Sequence, residues 1–154
     1  NIAVDKSEVE AEEAEVVKSE EEVDGGLVYK CEVNGDAKYV LPLTGKGLWG
    51  GLWGYIAIND DMDTVYGVYF GHESETAGLG AEITNPKWKA QFCGKKLRNS
   101  VGKIALSVVK AGKSEDGVED MNKCDAVTGA TLTSNGVDAM LDECITRYDK
   151  FLTK

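Results

Sequence analysis

The pattern of apolar and polar positions divides the chain into an arm, a strand-rich body and a closing helix. Residues 5 to 24 are glutamate-rich with scattered Ala and Val and lack an apolar face, the composition of a solvated helix or a mobile tether. After Gly25-Gly26, Leu27, Tyr29, Cys31 and Val33 alternate with more polar neighbours and predict a half-buried strand. Asn34-Gly35-Asp36 predicts a tight turn, and Tyr39 to Leu43 its returning partner. Tyr55 to Ile58 and Thr64 to Phe70 read as two more strands around the acidic turn Asn59 to Asp63, and Lys103 to Ala111 as another, followed by a polar turn at Lys113 to Gly117. Asn85-Pro86 predicts an N-cap and first helical residue for a short helix through Trp88 to Phe92. Val137, Met140, Leu141, Cys144, Ile145, Tyr148, Phe151 and Leu152 recur at steps of three and four, an amphipathic helix running to the C-terminus. Several strands with a few helices predict an α+β fold around a mixed, largely antiparallel sheet.

Composition changes this picture mainly at the front. The 154 residues carry a net charge of -10, yet Asn1 to Asp24 alone hold ten acids against Lys6 and Lys18. The body is therefore nearly neutral. The expected organisation is an acidic tether over residues 1–24 and one domain over residues 25–154. An acidic arm and no basic stripe argue against a nucleic-acid partner. No stretch is long and apolar enough to cross a bilayer, and the broken segment Leu48 to Ile58 is too short. Cys31, Cys93, Cys124 and Cys144 form no CxxC pair and His72 is the lone histidine, which argues against a zinc or iron–sulfur site. Cys144 falls on the apolar helix face, and one or two disulfides remain open.

The chemistry concentrates before the closing helix. Asp125 to Gly136 (DAVTGATLTSNG) gathers three threonines, a serine and an asparagine among small residues. A helix N-terminus offers unpaired N–H groups and a positive dipole end, which suit a phosphate. The plainer reading is a polar turn whose Ser134 or Asn135 caps the helix.

DAVTGAT at Asp125 to Thr131 resembles the flavinylation signature: an Asp, two variable residues, Ser or Thr, then Gly-Ala-Thr. The resemblance implies that FMN is joined by its phosphate to the hydroxyl of Thr131 by a flavin transferase, which recognises Asp125, Gly129 and Ala130, and that these three and Thr128 belong to the cofactor-binding residues. Gly45 to Ile58 (GKGLWGGLWGYIAI) and Gly71 to Trp88 (GHESETAGLGAEITNPKW) are similar to blocks of the covalent-FMN subunit family of sodium-translocating NADH:quinone reductases, which is related to the FMN-bearing subunit family of the Rnf complex. That likeness implies flavin contacts from Glu75, Thr76, Gly78, Leu79 and Gly80, an absent N-terminal membrane anchor, and a domain on the periplasmic side of the inner membrane. It further implies an electron-carrying subunit, with no catalysis of its own, working with other subunits of a complex that couples electron transfer from NADH to quinone with sodium transport. An Rnf-type ferredoxin:NAD reductase or another exported flavoprotein is the alternative host, and a non-redox binding module a reading from a different class. One departure stands out: the family has Thr-Pro-Gly-Leu-Gly where Ala77 follows Thr76 here, which frees the loop's backbone. Trp49 and Trp53 read as core, His72 as a satisfied side chain, and Asp60, Asp61 and Asp63 as a solvated turn lacking EF-hand spacing.

Overall fold

The computed structural model describes residues 19–23 and 26–153. Among them, β1 (Ser19–Val23), β2 (Gly26–Val33), β3 (Asp36–Lys46), β4 (Gly51–Asn59) and β5 (Val65–His72) form an antiparallel sheet in simple sequential order. The β2–β3 connection is the two-residue hairpin that its sequence predicts: Val33 pairs with Asp36, and Asn34 and Gly35 have φ of 52° and 84°. Both central residues of this turn class need positive φ, which Asn and Gly tolerate best. A second, two-stranded sheet pairs β6 (Ser107–Val109) with β7 (Lys123–Asp125) in parallel. The helices are α1 (Pro86–Ala90), α2 (Thr131–Arg147) and α3 (Asp149–Leu152). The fold is α+β, with a mostly antiparallel sheet and the amphipathic helix following the Thr-rich loop, as expected.

The acidic arm departs from expectation in part. Ser19–Val23 is neither helix nor tether but an edge strand on β2, in register from Ser19↔Lys30 to Val23↔Gly26. Ladder pairing uses backbone groups, which an open edge offers whatever the side-chain charge. Residues 1–18 lie outside the described residues.

Val137, Met140, Leu141, Cys144 and Ile145 of α2 are buried against Leu41, Leu43, Leu52, Ile56 and Phe70 of the sheet. Tyr148, Phe151 and Leu152 complete the buried set. Two glycines permit the close approach. A Cβ at Gly45 would stand 2.8 Å from the Met140 Cβ, and one at Gly136 would run into the Lys46 carbonyl oxygen. The helix is not continuous to the end: it breaks at Tyr148, whose hydroxyl donates to the Leu27 carbonyl (3.2 Å), and Arg98 holds Asp149 of α3 at 2.5 Å.

In β2 the predicted alternating face is the one turned from α2. Cys31 is buried there with Val40 and Ala57 beneath Tyr29, Tyr55 and Tyr66, whereas Val28 enters the main core and Leu27 is exposed. Alternation reveals two faces but not which one a helix covers. The strand expected over Lys103 to Ala111 shrinks to β6. Ala105 and Leu106 both donate to the Leu97 carbonyl, hooking the backbone away, and the Val108 N–H donates to the Asp138 carboxylate on α2 (2.9 Å). All four cysteines are thiols. Among the described residues no helix is long and apolar enough to cross a membrane.

Candidate functional site

Three segments far apart in sequence meet at the start of α2: the turn between β3 and β4, the loop after β5, and the loop from β7 into α2. Glu75 joins them. Its carboxylate is buried and accepts from the backbone N–H of Leu48 (3.0 Å) and Trp49 (2.8 Å) and from the hydroxyl of Thr133. Burial alone would raise its pKa, but the hydrogen bonds from Thr133 and from the N–H groups of Trp49, Leu48 and Gly50 outweigh it and hold the carboxyl below its usual range. His72 supports the same loop, its Nδ1 accepting from the Glu75 N–H at 3.0 Å.

The loop after β5 turns at Thr76-Ala77-Gly78-Leu79, where Leu79 N–H donates to the Thr76 carbonyl (3.0 Å) and Gly78 has φ 79°. The loop before α2 turns at Val127-Thr128-Gly129-Ala130 in the same manner, with Ala130 N–H on the Val127 carbonyl (3.1 Å) and φ 80° at Gly129. Positive φ at the third residue is the mark of a type II turn and explains both glycines. The two turns abut: a Cβ at Gly129 would lie 3.6 Å from Leu79 Cδ2. Gly80 is buried where a Cβ would strike the Thr133 hydroxyl. Ala77 occupies the second position of its turn, where a preset φ helps but is not required.

α2 begins earlier than the capping reading expects. Thr131 is its first residue, and the N-cap is Ala130, which has no side chain to cap with. Ser134 is buried inside the first turn with its hydroxyl accepting from the Val127 N–H (3.0 Å), and Asn135 is an exposed helical residue. The Ser134 N–H donates to the Ala130 carbonyl (3.0 Å), whereas the N–H groups of Thr131, Leu132 and Thr133 precede the first intrahelical bond and have no side-chain cap. Thr128, Gly129 and Thr131 are exposed, as is Asp125 at the loop's start. Of the residues expected from the sequence, Gly78, Leu79, Thr128 and Gly129 meet around the two turns and Gly80 sits against Thr133. The Glu75 carboxylate instead faces the β3–β4 turn and Thr133, and Asp125 lies at the far end of its loop beside Gln91 and Trp88.

Large apolar side chains are exposed near these turns, among polar ones. Leu48, Leu79 and Leu132 are exposed, and so are Trp49 (64%) and Trp53, the two tryptophans expected in the core. The Trp53 indole lies against its cross-strand partner Gly71, where a Cβ would collide with the ring, so glycine gives it a flat seat on the sheet. An open cleft of about 350 Å³ lies beside the loops, bordered by Gly78, Lys87, Trp88, Val127 and Thr128. In the acidic turn, Asp61 accepts from Asp63 N–H (2.9 Å) and from the N–H and hydroxyl of Thr64, and Asp63 accepts from Arg98 N–H (2.9 Å).

The profile of the family described as FMN-binding domain matches residues 47–146. The chain belongs to this family. The C subunit of the Na(+)-translocating NADH-quinone reductase of Vibrio vulnificus is 45% identical over 122 residues, covering 76% of this chain and 45% of that protein. The Pseudomonas aeruginosa counterpart is 39% identical over 128 residues, covering 81% and 49%. The chain thus spans about half the length of the curated relatives it matches. Among solved structures, the same protein from Parabacteroides distasonis superposes with a TM-score of 0.78 at 45% identity, covering 83% of this chain and 63% of that one. The Shewanella oneidensis protein follows at 0.68 and 29% identity, covering 96% and 72%.

The residues present fit an FMN. An uncapped helix start suits its phosphate. Glycine at the third position of both turns and the exposed leucines suit the approach of a flat ring, and the cleft beside them is lined by both Lys87 and Glu82. Sequence reasoning missed the inward ties of Thr133 to Glu75 and of Ser134 to Val127, and it passed over Lys87 and Gln91. Thr133 and Ser134 lie in the loop it singles out, whereas Gln91 carries no local signal.

Proposed function

We propose that this FMN-binding domain carries its flavin covalently, through a phosphodiester to Thr131, and serves as an electron-carrying domain of a sodium-translocating NADH:quinone reductase. The observation that carries the reading is Thr131 itself, an exposed hydroxyl on the first residue of α2, where uncapped N–H groups and the helix dipole favour a phosphate's negative charge. The DAVTGAT sequence that ends on it supports recognition by a flavin transferase through Asp125, Gly129 and Ala130, with Thr128 among the cofactor-binding residues.

The attachment balances with a flavin dinucleotide as donor. The Thr131 oxygen–phosphorus bond forms, the pyrophosphate P–O bond breaks, the nucleoside monophosphate leaves with the electron pair, and the hydroxyl proton passes to a base or solvent. Once bound, FMN supplies a reversible redox centre. This chain's own residues have simpler tasks. Gly78 and Gly129 let the backbone approach, Thr76 offers polar contact, Leu79 covers apolar surface, and Gly80 gives room for the Glu75–Thr133 tie. The domain expected over residues 25–154 also takes in the edge strand Ser19–Val23. We assign the acidic residues before that strand to a link to a membrane anchor, with the domain on the periplasmic side of the inner membrane and the other subunits of the complex as its electron partners.

Co-expression with the transferase, followed by intact mass measurement, tests the reading. The expected result is one FMN retained through acid precipitation and located on the Asp125–Thr131 peptide. Thr131→Ala is expected to stay bare and fold normally, because an exposed hydroxyl contributes within about 0.5 kcal/mol to stability. A bare wild-type peptide beside active transferase would overturn it.

A further inference from the structure

Gln91 follows the last residue of α1, and its carboxamide meets one residue of the attachment loop twice. The Asp125 N–H donates to Gln91 Oε1 at 2.7 Å, and Gln91 Nε2 donates to the Asp125 carbonyl at 2.9 Å. The indole Nε1 of Trp88 donates to the same carbonyl at 2.7 Å. On its other edge the strand is paired to β6, where Val109 opposes Asp125 and Ala126 N–H donates to the Val109 carbonyl (2.9 Å). The backbone at Asp125 is thus held as in the middle of a three-stranded sheet, with a side-chain amide acting as the third strand.

This clamp stands on a firm base. Trp88 and Phe92 flank Gln91 and pack on Phe70, with ring centroids 5.8 and 5.4 Å from it and 5.3 Å from each other. Asp125 is exposed, so water would satisfy its backbone groups without any protein partner. Ordering a glutamine side chain also costs rotamer freedom. Stability therefore gives little reason for the arrangement, whereas geometry does. Beyond Asp125 the loop is held at Ala126 by the Val109 carbonyl, at Val127 by the Ser134 hydroxyl, and by the turn to Ala130, none of which fixes the Asp125 N–H and carbonyl themselves.

We propose that Gln91, seconded by Trp88, is a positioning residue for flavin attachment. It fixes the Asp125 end of the loop relative to Thr131, so that both ends of the recognised segment meet the transferase in one geometry. The inference rests on the reading of Thr131 as the attachment residue. Without the clamp, the enzyme must order the Asp125 end itself, and the loss falls on binding.

Gln91→Met keeps the side chain's length and loses both hydrogen bonds. With purified transferase and flavin adenine dinucleotide, its initial rate of attachment, followed by intact mass, is expected to show kcat/KM about tenfold lower, from a raised KM. The melting temperature is expected to stay within a few degrees. Amide exchange at Asp125 speeds up, while Ala126, bonded to β6, keeps its protection. Trp88→Phe retains the ring packing, loses one hydrogen bond and gives a smaller drop in the same direction. Wild-type kcat/KM in Gln91→Met overturns the proposal, as does a large fall in its melting temperature, which would mark Gln91 as a structural pin. An unmodified wild-type chain, or a modified Thr131→Ala, refutes the attachment reading instead and takes this one with it.

Discussion

Glu75 and Thr133, 58 residues apart in sequence, share a buried hydrogen bond that closes the β5 loop onto the first turn of α2. The same carboxylate holds the Leu48 and Trp49 N–H groups, so one side chain sets the spacing of all three segments of the site. The family resemblance puts Glu75 among the direct flavin contacts, and its geometry makes it the residue that assembles the others. Thr131 and Thr133 consequently divide the work, one facing solvent and the other facing inward.

Glu75→Gln sets an amide nitrogen against backbone donors and should cost about 1–3 kcal/mol at neutral pH. The folded-state pKa of Glu75 is lowered, so its stabilisation is fully present above the ordinary glutamate value and is lost as pH falls through the folded value. Denaturant melts of both proteins should therefore differ at pH 7 and converge well below pH ~4, the ordinary range for this side chain. A gap that persists in acid would mean that the carboxylate's charge is irrelevant.

Ala77→Pro should stabilise the protein by about 0.4–1 kcal/mol. Residue 77 is the second position of a turn closed by the Thr76–Leu79 hydrogen bond, where proline's fixed φ is already favourable. A thermal melt reads the gain. A lower melting temperature would show that the turn belongs to another class.

Gly136→Ala reverses the usual sign of a helix substitution. Alanine ordinarily gains up to about 1 kcal/mol over glycine inside a helix. At this position the added Cβ runs into the Lys46 carbonyl oxygen and lies 3.2 Å from Gly47 Cα and from Leu52 Cδ1. Forcing α2 off β3 should cost about 1–3 kcal/mol, measurable as a lower urea midpoint. A neutral result would show that the helix can shift without loss.

Alkylation should distinguish one cysteine from three. Cys93 is exposed, while Cys31, Cys124 and Cys144 are buried. Burial pushes the Cys124 thiol up to about 12, with Asp125 and Cys93 adding to the rise and Lys95 opposing it, and burial also raises Cys31. At pH 8 a thiol of that pKa is thiolate in roughly one molecule in ten thousand, and only the thiolate reacts. Iodoacetamide should add one label to the native protein and four after denaturation, read by mass. Rapid labelling of Cys124 in the native state would contradict this core.

Much of the molecule could be read from residue order because the governing interactions are local or periodic. Asn34-Gly35 specifies its hairpin through backbone sterics alone, and Asn85 caps α1 through Lys87 N–H just as its Pro86 neighbour suggests. The apolar steps from Val137 to Leu152 identify every buried residue of the closing helices except those of the first turn. The loop that ends at Thr131 could be singled out because its hydroxyls and small residues are contiguous in the sequence.

Tertiary structure decided everything that depends on which distant groups meet. Cys31 and Val28 lie on opposite faces of β2, and only the seating of α2 determines which face becomes the main core. Trp49 stays outside because the β3–β4 turn is held at the rim by a carboxylate that sequence spacing cannot place. Ser134 gives up a cap to hold Val127, and Gln91 finds Asp125 across 34 positions. Periodicity records how a segment partitions between water and protein, whereas a hydrogen bond between remote residues exists only after the chain has brought them together.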